Sequence, residues 1–369
     1  MKILCICPIG IGNYILCYPA WARLKQSLPD ASLTLLGLRT SIADIARGDA
    51  LWDDIVLFDP TKLKGKIGEQ VRIIGQIRNR TFDVSLSFFP SNTWQYNLLP
   101  LLCGIPIRWN FDYIRHGKKA LSFLNTNRQP VDVSLHDVTQ NLAIVDVFTG
   151  KKSTNAPIFP RLFGDSDAAW VENLIVSIGE NKRYIGIHAG SSADHGMDAK
   201  RWAPDRFTAL ADRLCEKFGL EALIFGGKEE SDLKEQIATT MRQPSHNIEP
   251  QSLAKTAAII DQCALMLCND SGLMHMAACQ NVPTIAIFGP TDELRNGPFG
   301  ECTLVVRKKM DGFPVWTAAS VGDRKLPDGV DPMASLKALT VDDAWVQIAS
   351  WLESETVRKS LGKKVTKDL

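Results

Sequence analysis

Short apolar runs alternate with amphipathic segments along almost the whole of this 369-residue chain. Runs such as Lys2–Cys7 and Tyr184–His188 have the length and composition of buried strands, and segments with helical spacing follow them. This alternation is typical of βα units, which place parallel strands side by side and cover the sheet with helices. The sequence therefore predicts an α/β fold.

The chain is long enough for two such folds. A length of 369 residues exceeds what one hydrophobic core usually serves, and the alternation begins again after Pro157 and Pro160. A final helical segment starts at Val341, carries Trp345 and Trp351 among its apolar positions, and precedes a basic tail. The predicted divisions of the chain are residues 1–160, 161–340 and 341–369.

Charge and cysteine content narrow the class of protein. The 42 basic and 41 acidic side chains leave a formal charge of +1, so no global field attracts nucleic acid. The nine cysteines include no C-x-x-C pair, and the reduced thiols of a cytoplasmic protein fit them best. The longest apolar stretch, Leu98–Ile107, is far shorter than the ~20 residues of a spanning helix. We expect a cytoplasmic protein without a nucleic-acid partner.

The stretch Asn269–His275 is the most informative part of the sequence. An apolar strand delivers it to the start of a helix, where open N–H groups and the helix dipole form a seat for a diphosphate. Gly272 lets a phosphate approach the main chain, and Ser271 supplies a hydroxyl. A plain N-cap explains aspartate and serine at a helix start equally well. Spacing alone leaves the two interpretations even.

Two further segments follow strands of the second half. Lys200–Trp202 comes after the strand that ends near His188, at the edge where open α/β sheets bind ligands, and a lysine there can neutralise a phosphate. Taken alone, a surface base beside a packed tryptophan explains this segment better. Glu230 follows Gly226-Gly227 and can accept hydrogen bonds from ribose hydroxyls, but an exposed glutamate that starts a helix explains it equally well.

A glycine turn follows the first strand. Gly10 and Gly12 precede Asn13 at the start of a helix and resemble half of a dinucleotide-binding fingerprint. The third glycine and the acidic residue of that fingerprint do not stand out, and a lone G-x-G is weak. This turn identifies no ligand by itself.

Taken in order, four segments resemble glycosyltransferase family nine, the group of the ADP-heptose:lipopolysaccharide heptosyltransferases. The resemblance covers nearly the whole chain, and four matched segments in the right order are far more specific than any one of them. The segments are Asn269–His275 with Val282-Pro283-Thr284 and Phe288-Gly289-Pro290-Thr291, then Lys200–Phe207, Gly226-Gly227, and Gly12–Leu16 with Pro19 and Leu24.

The resemblance implies a GT-B architecture, in which two Rossmann-like, doubly wound domains face each other across a cleft. The N-terminal domain would bind the acceptor, the C-terminal domain would bind the nucleotide sugar, and the final helix would cross back to the N-terminal domain. The resemblance also implies inversion at the anomeric centre without a metal, and no D-x-D stands in a fitting place in this sequence. We expect no cofactor, ADP-heptose as the donor, and a lipopolysaccharide core or related glycan as the acceptor.

Carried over residue by residue, the resemblance assigns roles to the matched positions. Lys200 would stabilise the departing phosphate, and Glu230 would face the ribose. The expected catalytic residues are Asn13, Lys200 and Asp270. The expected nucleotide-sugar site consists of Ser191, Ser192, Lys200, Glu230, Asp270, Ser271, Gly272 and His275. The expected acceptor site consists of Gly12, Asn13, Arg115 and Lys118.

One departure from the family concerns the general base. Heptosyltransferases of the family place an aspartate after the glycine turn, where this chain has Asn13. A neutral amide cannot take a proton at pH 7, so catalysis needs another base or assistance from the substrate. Either Asn13 only positions the acceptor, or the chain belongs to a branch with a different acceptor, or it binds a nucleotide sugar with little turnover. We favour an active transferase.

Two basic clusters in the N-terminal half bear on the partners. One runs from Lys62 to Arg80 and the other from Arg115 to Lys119; such groups bind acceptor phosphates or an anionic membrane, and solvated loops explain them equally well. The expected partners are a nucleotide-sugar donor, a glycan or lipid-linked glycan and, peripherally, the cytoplasmic face of the inner membrane. A sugar-nucleotide epimerase and a nucleotide-sugar-binding protein with little turnover are the alternative functions.

Overall fold

The computed structural model describes residues 1–60, 62–113, 118–179, 181–192, 194–317, 329–354, 356–357 and 361. These residues form two compact units. The first contains Met1–Pro160 and a short segment that starts at Trp316, and the second contains the rest of the described chain from Arg161. The first break between the units follows Pro160.

The first unit contains six strands and five α-helices in the described residues. The strands are β1 (Lys2–Ile6), β2 (Ser32–Gly37), β3 (Asp54–Leu57), β4 (Val84–Ser87), β5 (Ile107–Asp112) and β6 (Asn127–Pro130). The helices are α1 (Ile11–Ser27), α2 (Thr40–Ala46), α3 (Ile67–Asn79), α4 (Trp94–Leu102) and α5 (Asp137–Thr149), with a 3₁₀ turn at Ser122–Leu124.

The first sheet is parallel throughout, in the order β3-β2-β1-β4-β5-β6. Leu4, Ile6 and Leu36 of its central strands are buried and pack in one core with Ile77 of α3 and with Phe82. A strand order that starts in the middle and reverses after the third strand is that of a Rossmann-like, doubly wound fold.

Two signals place the start of helix α1 differently: the glycine turn predicts a start near Asn13, whereas amphipathic spacing is clear only from Tyr18. The helix starts at Ile11 and continues through Pro19. Most of its residues from Tyr14 to Ala22 are buried, so its first turns have no polar face and no amphipathic signal.

The second unit repeats the arrangement. Its strands are β7 (Tyr184–His188), β8 (Glu221–Ile224), β9 (Ser245–Asn247), β10 (Cys263–Asn269), β11 (Thr284–Ile287) and β12 (Thr303–Val306). Its α-helices are α6 (Asp165–Gly179), α7 (Pro204–Phe218), α8 (Ser231–Thr240), α9 (Leu253–Gln262), α10 (Gly272–Cys279), α11 (Glu293–Asn296), α12 (Ala334–Ala338) and α13 (Val341–Leu352). Two 3₁₀ segments cover Asp194–Lys200 and Lys228–Glu230.

The second sheet is also fully parallel, in the order β12-β11-β10-β7-β8-β9. Its first strand, β7, lies in the middle beside its fourth strand, β10, as β1 lies beside β4 in the first sheet. The predicted α/β class with two Rossmann-like units is therefore confirmed. Within the described ranges, no helix combines the length and the apolar content that crossing a bilayer requires.

The final helix, α13, belongs to the second unit. Its residues Ala344, Ile348 and Leu352 are part of that unit's hydrophobic core. The Arg213 guanidinium of α7 lies over the ring of Trp345, the residue after Ala344, at 4.0 Å from the ring centroid. The apolar stripe of α13 therefore packs within its own unit.

Candidate functional site

The carboxyl ends of β7 and β10 meet at one edge of the second sheet. His188 ends β7 and pairs in register with Cys268, one residue before β10 ends at Asn269. The two strands are neighbours in the sheet but distant in the chain, so the connections that leave them run in opposite directions. Open α/β sheets bind ligands in the crevice that forms at such a point. The candidate site is built on this edge.

Asp270 and Lys200 form a buried ion pair there. Lys200 Nζ lies 2.7 Å from Asp270 Oδ2, and the two side chains are 14% and 4% exposed. Thr291 donates its hydroxyl to the same oxygen at 2.7 Å. Burial alone would raise the pKa of Asp270, but the charge of Lys200 and the hydrogen bonds from Lys200 and Thr291 hold that pKa below its usual value. Asp270 is therefore a carboxylate at neutral pH and holds Lys200 in place.

His188 connects two other residues of the site. Its Nδ1 lies 3.0 Å from the Ser271 hydroxyl oxygen, and its Nε2 lies 3.2 Å from Glu230 Oε2. The imidazole is buried and has a polar partner on each nitrogen, so its orientation is fixed. The predicted site did not include His188, because a histidine at the end of a strand belongs to no motif that a linear sequence displays.

Glu230 is buried and accepts hydrogen bonds on both carboxylate oxygens. Arg201 Nη2 lies 3.3 Å from Oε1, and the Gly227 backbone N–H donates to Oε2 at 3.0 Å. Burial alone would raise the pKa of Glu230, but the hydrogen bond and charge of His188 hold that pKa below its usual value. The interpretation of Glu230 as an exposed helix-starting glutamate is wrong, because its carboxylate lies inside the site.

Gly190 leaves the space that the Glu230 carboxylate occupies. A Cβ atom at position 190 would lie 1.9 Å from Glu230 Oε1 and 2.3 Å from Cδ. The carboxylate is held by His188, Gly227 and Arg201 and cannot easily withdraw. A glycine is therefore required where the loop after β7 passes the loop after β8.

Ser271 occupies the N-cap position of α10, with extended backbone. Among the described contacts, its side chain makes no capping bond and instead reaches His188. The plain N-cap interpretation is therefore wrong for this hydroxyl, and Ser271 leaves the first-turn N–H groups from Gly272 onward uncapped. His275, buried in the same helix, adds its charge to the effects that lower the pKa of Asp270.

The two predicted serines differ in environment. Ser191 is buried, donates its hydroxyl to the Met197 carbonyl at 2.9 Å and accepts from Arg201 Nε at 3.2 Å. Ser192, the next residue, is exposed. Ser191 therefore fixes the guanidinium of Arg201, which also forms an ion pair with Glu230.

Asn269 ties three segments of this edge together. It is fully buried, its Nδ2 donates to the Ala189 carbonyl at 2.6 Å, and its Oδ1 accepts from the Trp202 N–H at 3.3 Å. The end of β10 is thereby joined to the end of β7 and to the segment that carries Lys200. The sequence motif contained Asn269 but gave it no role, because its partners are backbone groups distant in the chain.

The arrangement has the chemistry of an anion-binding site. Lys200 and Arg201 supply cationic donors that are paired with Asp270 and Glu230, and the start of α10 supplies N–H groups and the positive end of the helix dipole. Within the part of the chain that the structure describes, no three His, Cys, Asp or Glu side chains are grouped to hold a metal ion. The edge can receive a diphosphate through these charges and N–H groups.

In the first unit, the glycine turn after β1 is closed by Asn13. Gly10 has a φ of 107°, which side-chain-bearing residues rarely adopt. Asn13, in the first turn of α1, donates its amide Nδ2 to the Ile9 carbonyl at 2.6 Å. Gly12 and Asn13 are both half-buried. The amide therefore stabilises the turn to which the sequence assigns the acceptor.

Of the two basic residues predicted to bind the acceptor, Lys118 is exposed, and Arg115 lies outside the described residues. Two positions after Lys118, the Ala120 carbonyl accepts a hydrogen bond from Asn97 Nδ2 at 2.6 Å. Asn97 is fully buried in α4. The segment that carries Lys118 is therefore anchored from the interior.

Asn97 belongs to a buried network of amides. Its Oδ1 accepts from Asn110 Nδ2 and from Asn125 Nδ2, each at 2.6 Å. Asn110 in turn accepts from the Ser91 hydroxyl at 2.7 Å, and the Ser91 N–H donates to the Tyr113 hydroxyl at 2.6 Å. Satisfied buried networks of this kind rigidify what they hold. The roles of these residues were not predicted, since isolated asparagines carry no periodic signal.

The model of a protein family described as glycosyltransferase family 9 (heptosyltransferase) matches residues 70–314. The lipooligosaccharide heptosyltransferase 2 of Haemophilus ducreyi is 27% identical over 323 residues, which cover 83% of this chain and 88% of that protein. The lipooligosaccharide heptosyltransferase 2 of Campylobacter jejuni is 33% identical over 306 residues, which cover 81% of this chain and 85% of that protein.

Two solved structures share the fold. The ADP-heptose lipopolysaccharide heptosyltransferase II of Escherichia coli superposes with a TM-score of 0.72 at 19% identity, over 95% of this chain and 98% of that one. The glycosyl transferase family 9 protein of Veillonella parvula gives 0.74 at 19% identity, over 96% and 97%. The predicted GT-B fold is confirmed by this likeness. Since the family model spans most of the chain and the relatives match it over most of their lengths, the chain belongs to glycosyltransferase family 9.

Proposed function

We propose that this glycosyltransferase moves heptose from ADP-heptose to the core of a lipopolysaccharide or lipooligosaccharide. The sugar and the class of acceptor are supported by relatives named heptosyltransferase 2 that match most of the chain. The observation that carries the proposal is the 2.7 Å ion pair of Lys200 and Asp270 beside the start of α10. A cation held next to a helix N-terminus is suited to a departing diphosphate.

Each part of the donor has a candidate partner in the second unit. The diphosphate binds the N–H groups at the start of α10 and the Lys200 ammonium group, and Glu230 binds the ribose. Ser192, which is exposed, contacts the phosphates or the donor sugar. The proposed nucleotide-sugar site consists of Ser191, Ser192, Lys200, Glu230, Asp270, Ser271, Gly272 and His275.

The proposed reaction is a single displacement with inversion. The acceptor hydroxyl attacks the anomeric carbon, the bond from that carbon to the diphosphate oxygen breaks, and negative charge grows on the departing ADP. Lys200 and the α10 N–H groups stabilise this charge more in the transition state than in the ground state. Asp270 keeps Lys200 aimed at the diphosphate. The chemistry needs no cofactor.

The acceptor side of the proposal involves Gly12, Asn13, Arg115 and Lys118. The Asn13 amide cannot take the proton of the acceptor hydroxyl, so it positions the acceptor, and another carboxylate or a substrate phosphate receives the proton. Lys118 and Arg115 bind anionic groups of the acceptor. Because such an acceptor is lipid-linked, the enzyme works peripherally at the cytoplasmic face of the inner membrane.

A first experiment identifies the nucleotide. Thermal unfolding of the full chain is measured with ADP, UDP, GDP and CDP, since a ligand that binds only the folded state raises its apparent stability. We expect a selective increase in Tm with ADP that is lost in Asp270→Ala and kept in Asp232→Asn, a change at an exposed aspartate. A selective increase with UDP or GDP would contradict ADP-heptose as the donor.

A second experiment tests transfer. The protein is incubated with ADP-heptose and a lipid-linked core acceptor that lacks the heptose, and the product is analysed by mass spectrometry. We expect the acceptor to gain one heptose with wild type and with the exposed-site control Lys228→Ala, and to gain none with Lys200→Ala. A change in donor stereochemistry without acceptor, seen by NMR, would indicate an epimerase, and tight donor binding without turnover would indicate a binding protein.

A further inference from the structure

Three residues of the proposed nucleotide site form one hydrogen-bonded chain. The Ser271 hydroxyl oxygen lies 3.0 Å from His188 Nδ1, and His188 Nε2 lies 3.2 Å from Glu230 Oε2. The three residues come from different segments: Ser271 follows β10, His188 ends β7, and Glu230 follows β8. His188 is 5% exposed and Glu230 is 6% exposed. Because the His188–Glu230 end of this hydrogen-bonded series is shielded from water, with Ser271 half-buried at the other end, each of the two bonds influences the other.

The charge of Glu230 fixes the direction of its hydrogen bond with His188. A carboxylate only accepts, so His188 donates its Nε2–H to Glu230. When the imidazole is neutral, Nδ1 carries the lone pair and the Ser271 hydroxyl donates to that nitrogen. In this form the Ser271 hydrogen points to the imidazole and has to turn before it can be donated to a phosphate at the start of α10.

Glu230 has room for a further donor. A carboxylate offers about four acceptor positions. Among the described residues, His188, the Gly227 N–H and Arg201 donate to Glu230. A ribose hydroxyl can therefore donate to the same carboxylate that orients the imidazole.

We propose that His188 is a positioning residue that couples ribose recognition by Glu230 to diphosphate recognition by Ser271. This inference rests on the proposed donor, an ADP sugar bound in this site. A ribose hydroxyl that donates to Glu230 competes with the His188 Nε2–H and weakens that bond. Nδ1 then attracts the Ser271 hydrogen less, and the hydroxyl turns to the phosphate. The intact nucleoside diphosphate consequently binds more tightly than its two parts would separately.

The test compares ADP with 2′,3′-dideoxy-ADP by isothermal titration calorimetry on the full chain. The quantity compared is the factor by which loss of the ribose hydroxyls weakens binding, which is the Kd for 2′,3′-dideoxy-ADP divided by the Kd for ADP. We expect this factor to be roughly three- to ten-fold larger in wild type than in Ser271→Ala. The amide of His188→Gln replaces Nε2 but not Nδ1, so it cannot connect Glu230 to Ser271. The factor should therefore be the same in His188→Gln and in the double variant that also carries Ser271→Ala. Glu229→Gln, at the exposed neighbour of Glu230, should keep the wild-type factor.

The outcomes separate this inference from the proposed donor. Equal factors in wild type and Ser271→Ala, with ADP bound by both, would overturn the coupling and leave the donor intact. Failure of wild type to bind ADP would overturn the proposed donor and the coupling with it. The comparison of wild type with Ser271→Ala leaves the buried imidazole in place, so it decides the matter even where His188→Gln does not fold.

Discussion

Lys200 Nζ lies 2.7 Å from Asp270 Oδ2, the same carboxylate oxygen that accepts the Thr291 hydroxyl. The three residues follow three different strands, β7, β10 and β11, whose carboxyl ends lie along one edge of the sheet. One carboxylate thus holds a cation at the place where the proposed diphosphate accumulates charge. Removal of the cation and removal of the carboxylate should therefore have different consequences.

Lys200→Ala tests the cation. Because its charge matters most when the bond to the diphosphate breaks, we expect kcat to fall roughly 100- to 1,000-fold, with a smaller change in the KM for the donor. Steady-state release of ADP in the presence of acceptor measures both constants. Lys228→Ala, at an exposed lysine of the same unit, is the matched control. An unchanged kcat in Lys200→Ala would show that Lys200 does not contact the leaving group.

Asp270→Asn tests the carboxylate through the pH dependence of stability. The pKa of Asp270 is lowered in the folded protein, so its ionisation stabilises the fold above the unfolded value of about 3.9, and this contribution is lost as pH falls through the folded value. We expect Asp270→Asn to be less stable than wild type at pH 7, and the difference to shrink below about pH 4. Urea unfolding across this range measures it. A difference that stays constant with pH would contradict the lowered pKa.

Gly190→Ala tests the close approach of two loops. The added Cβ would lie 1.9 Å from Glu230 Oε1, so we expect a loss of roughly 1–3 kcal/mol in the free energy of unfolding and weaker ADP binding. Glu230→Ala removes the clashing group, so the double variant should have nearly the Tm of Glu230→Ala alone. Gly48→Ala, where the new Cβ has nothing within 4 Å, is the control. A Gly190→Ala variant with the wild-type Tm would be inconsistent with the observed packing.

The fold was predictable where the chain is apolar and periodic. Buried strands such as β1 and β10 appear in the sequence as continuous apolar runs, and the turns after them are marked by glycine, asparagine and aspartate. The edge strands β6 and β9 carry no such signal, because Asn127–Pro130 and Ser245–Asn247 contain no apolar run. An edge strand is held by backbone pairing with one neighbour and partly faces water, so its side chains carry little signal.

The site was predictable only where it is linear. Asp270, Ser271 and Gly272 follow one another in the chain, so their motif is visible in the sequence. His188 and Asn269 act through partners 42 to 83 positions away, and such pairings arise only from the strand order.

Asn97→Ala tests the anchor of the Lys118 segment. Asn97 is fully buried, donates to the Ala120 carbonyl and accepts from two asparagine amides, so its removal leaves a buried acceptor unpaired. We expect a loss of roughly 1–3 kcal/mol in the free energy of unfolding and a higher KM for the acceptor. The Kd for ADP should not change, because the proposed nucleotide residues lie in the other unit. Calorimetry and acceptor titrations measure these, with exposed Asn155→Ala as control.

Asn13→Ala and Asn13→Asp together test whether Asn13 positions the acceptor. The amide donates to the Ile9 carbonyl at 2.6 Å, and both substitutions remove this donor, so each should lower stability by about 1 kcal/mol. Since an amide does not titrate, Asn13→Ala should raise the KM for the acceptor and leave the shape of the kcat–pH curve as in wild type. In Asn13→Asp, a carboxylate oxygen would face the Ile9 carbonyl oxygen, and two acceptors cannot form a hydrogen bond. The carboxylate should therefore rotate away from Ile9, and its titration should appear as a further pKa in the kcat–pH curve. If one of the ionisations that shape the kcat–pH curve disappeared in Asn13→Ala, a positioning role would be contradicted. Such a loss would mean that Asn13 controls the protonation of the group that acts as the general base.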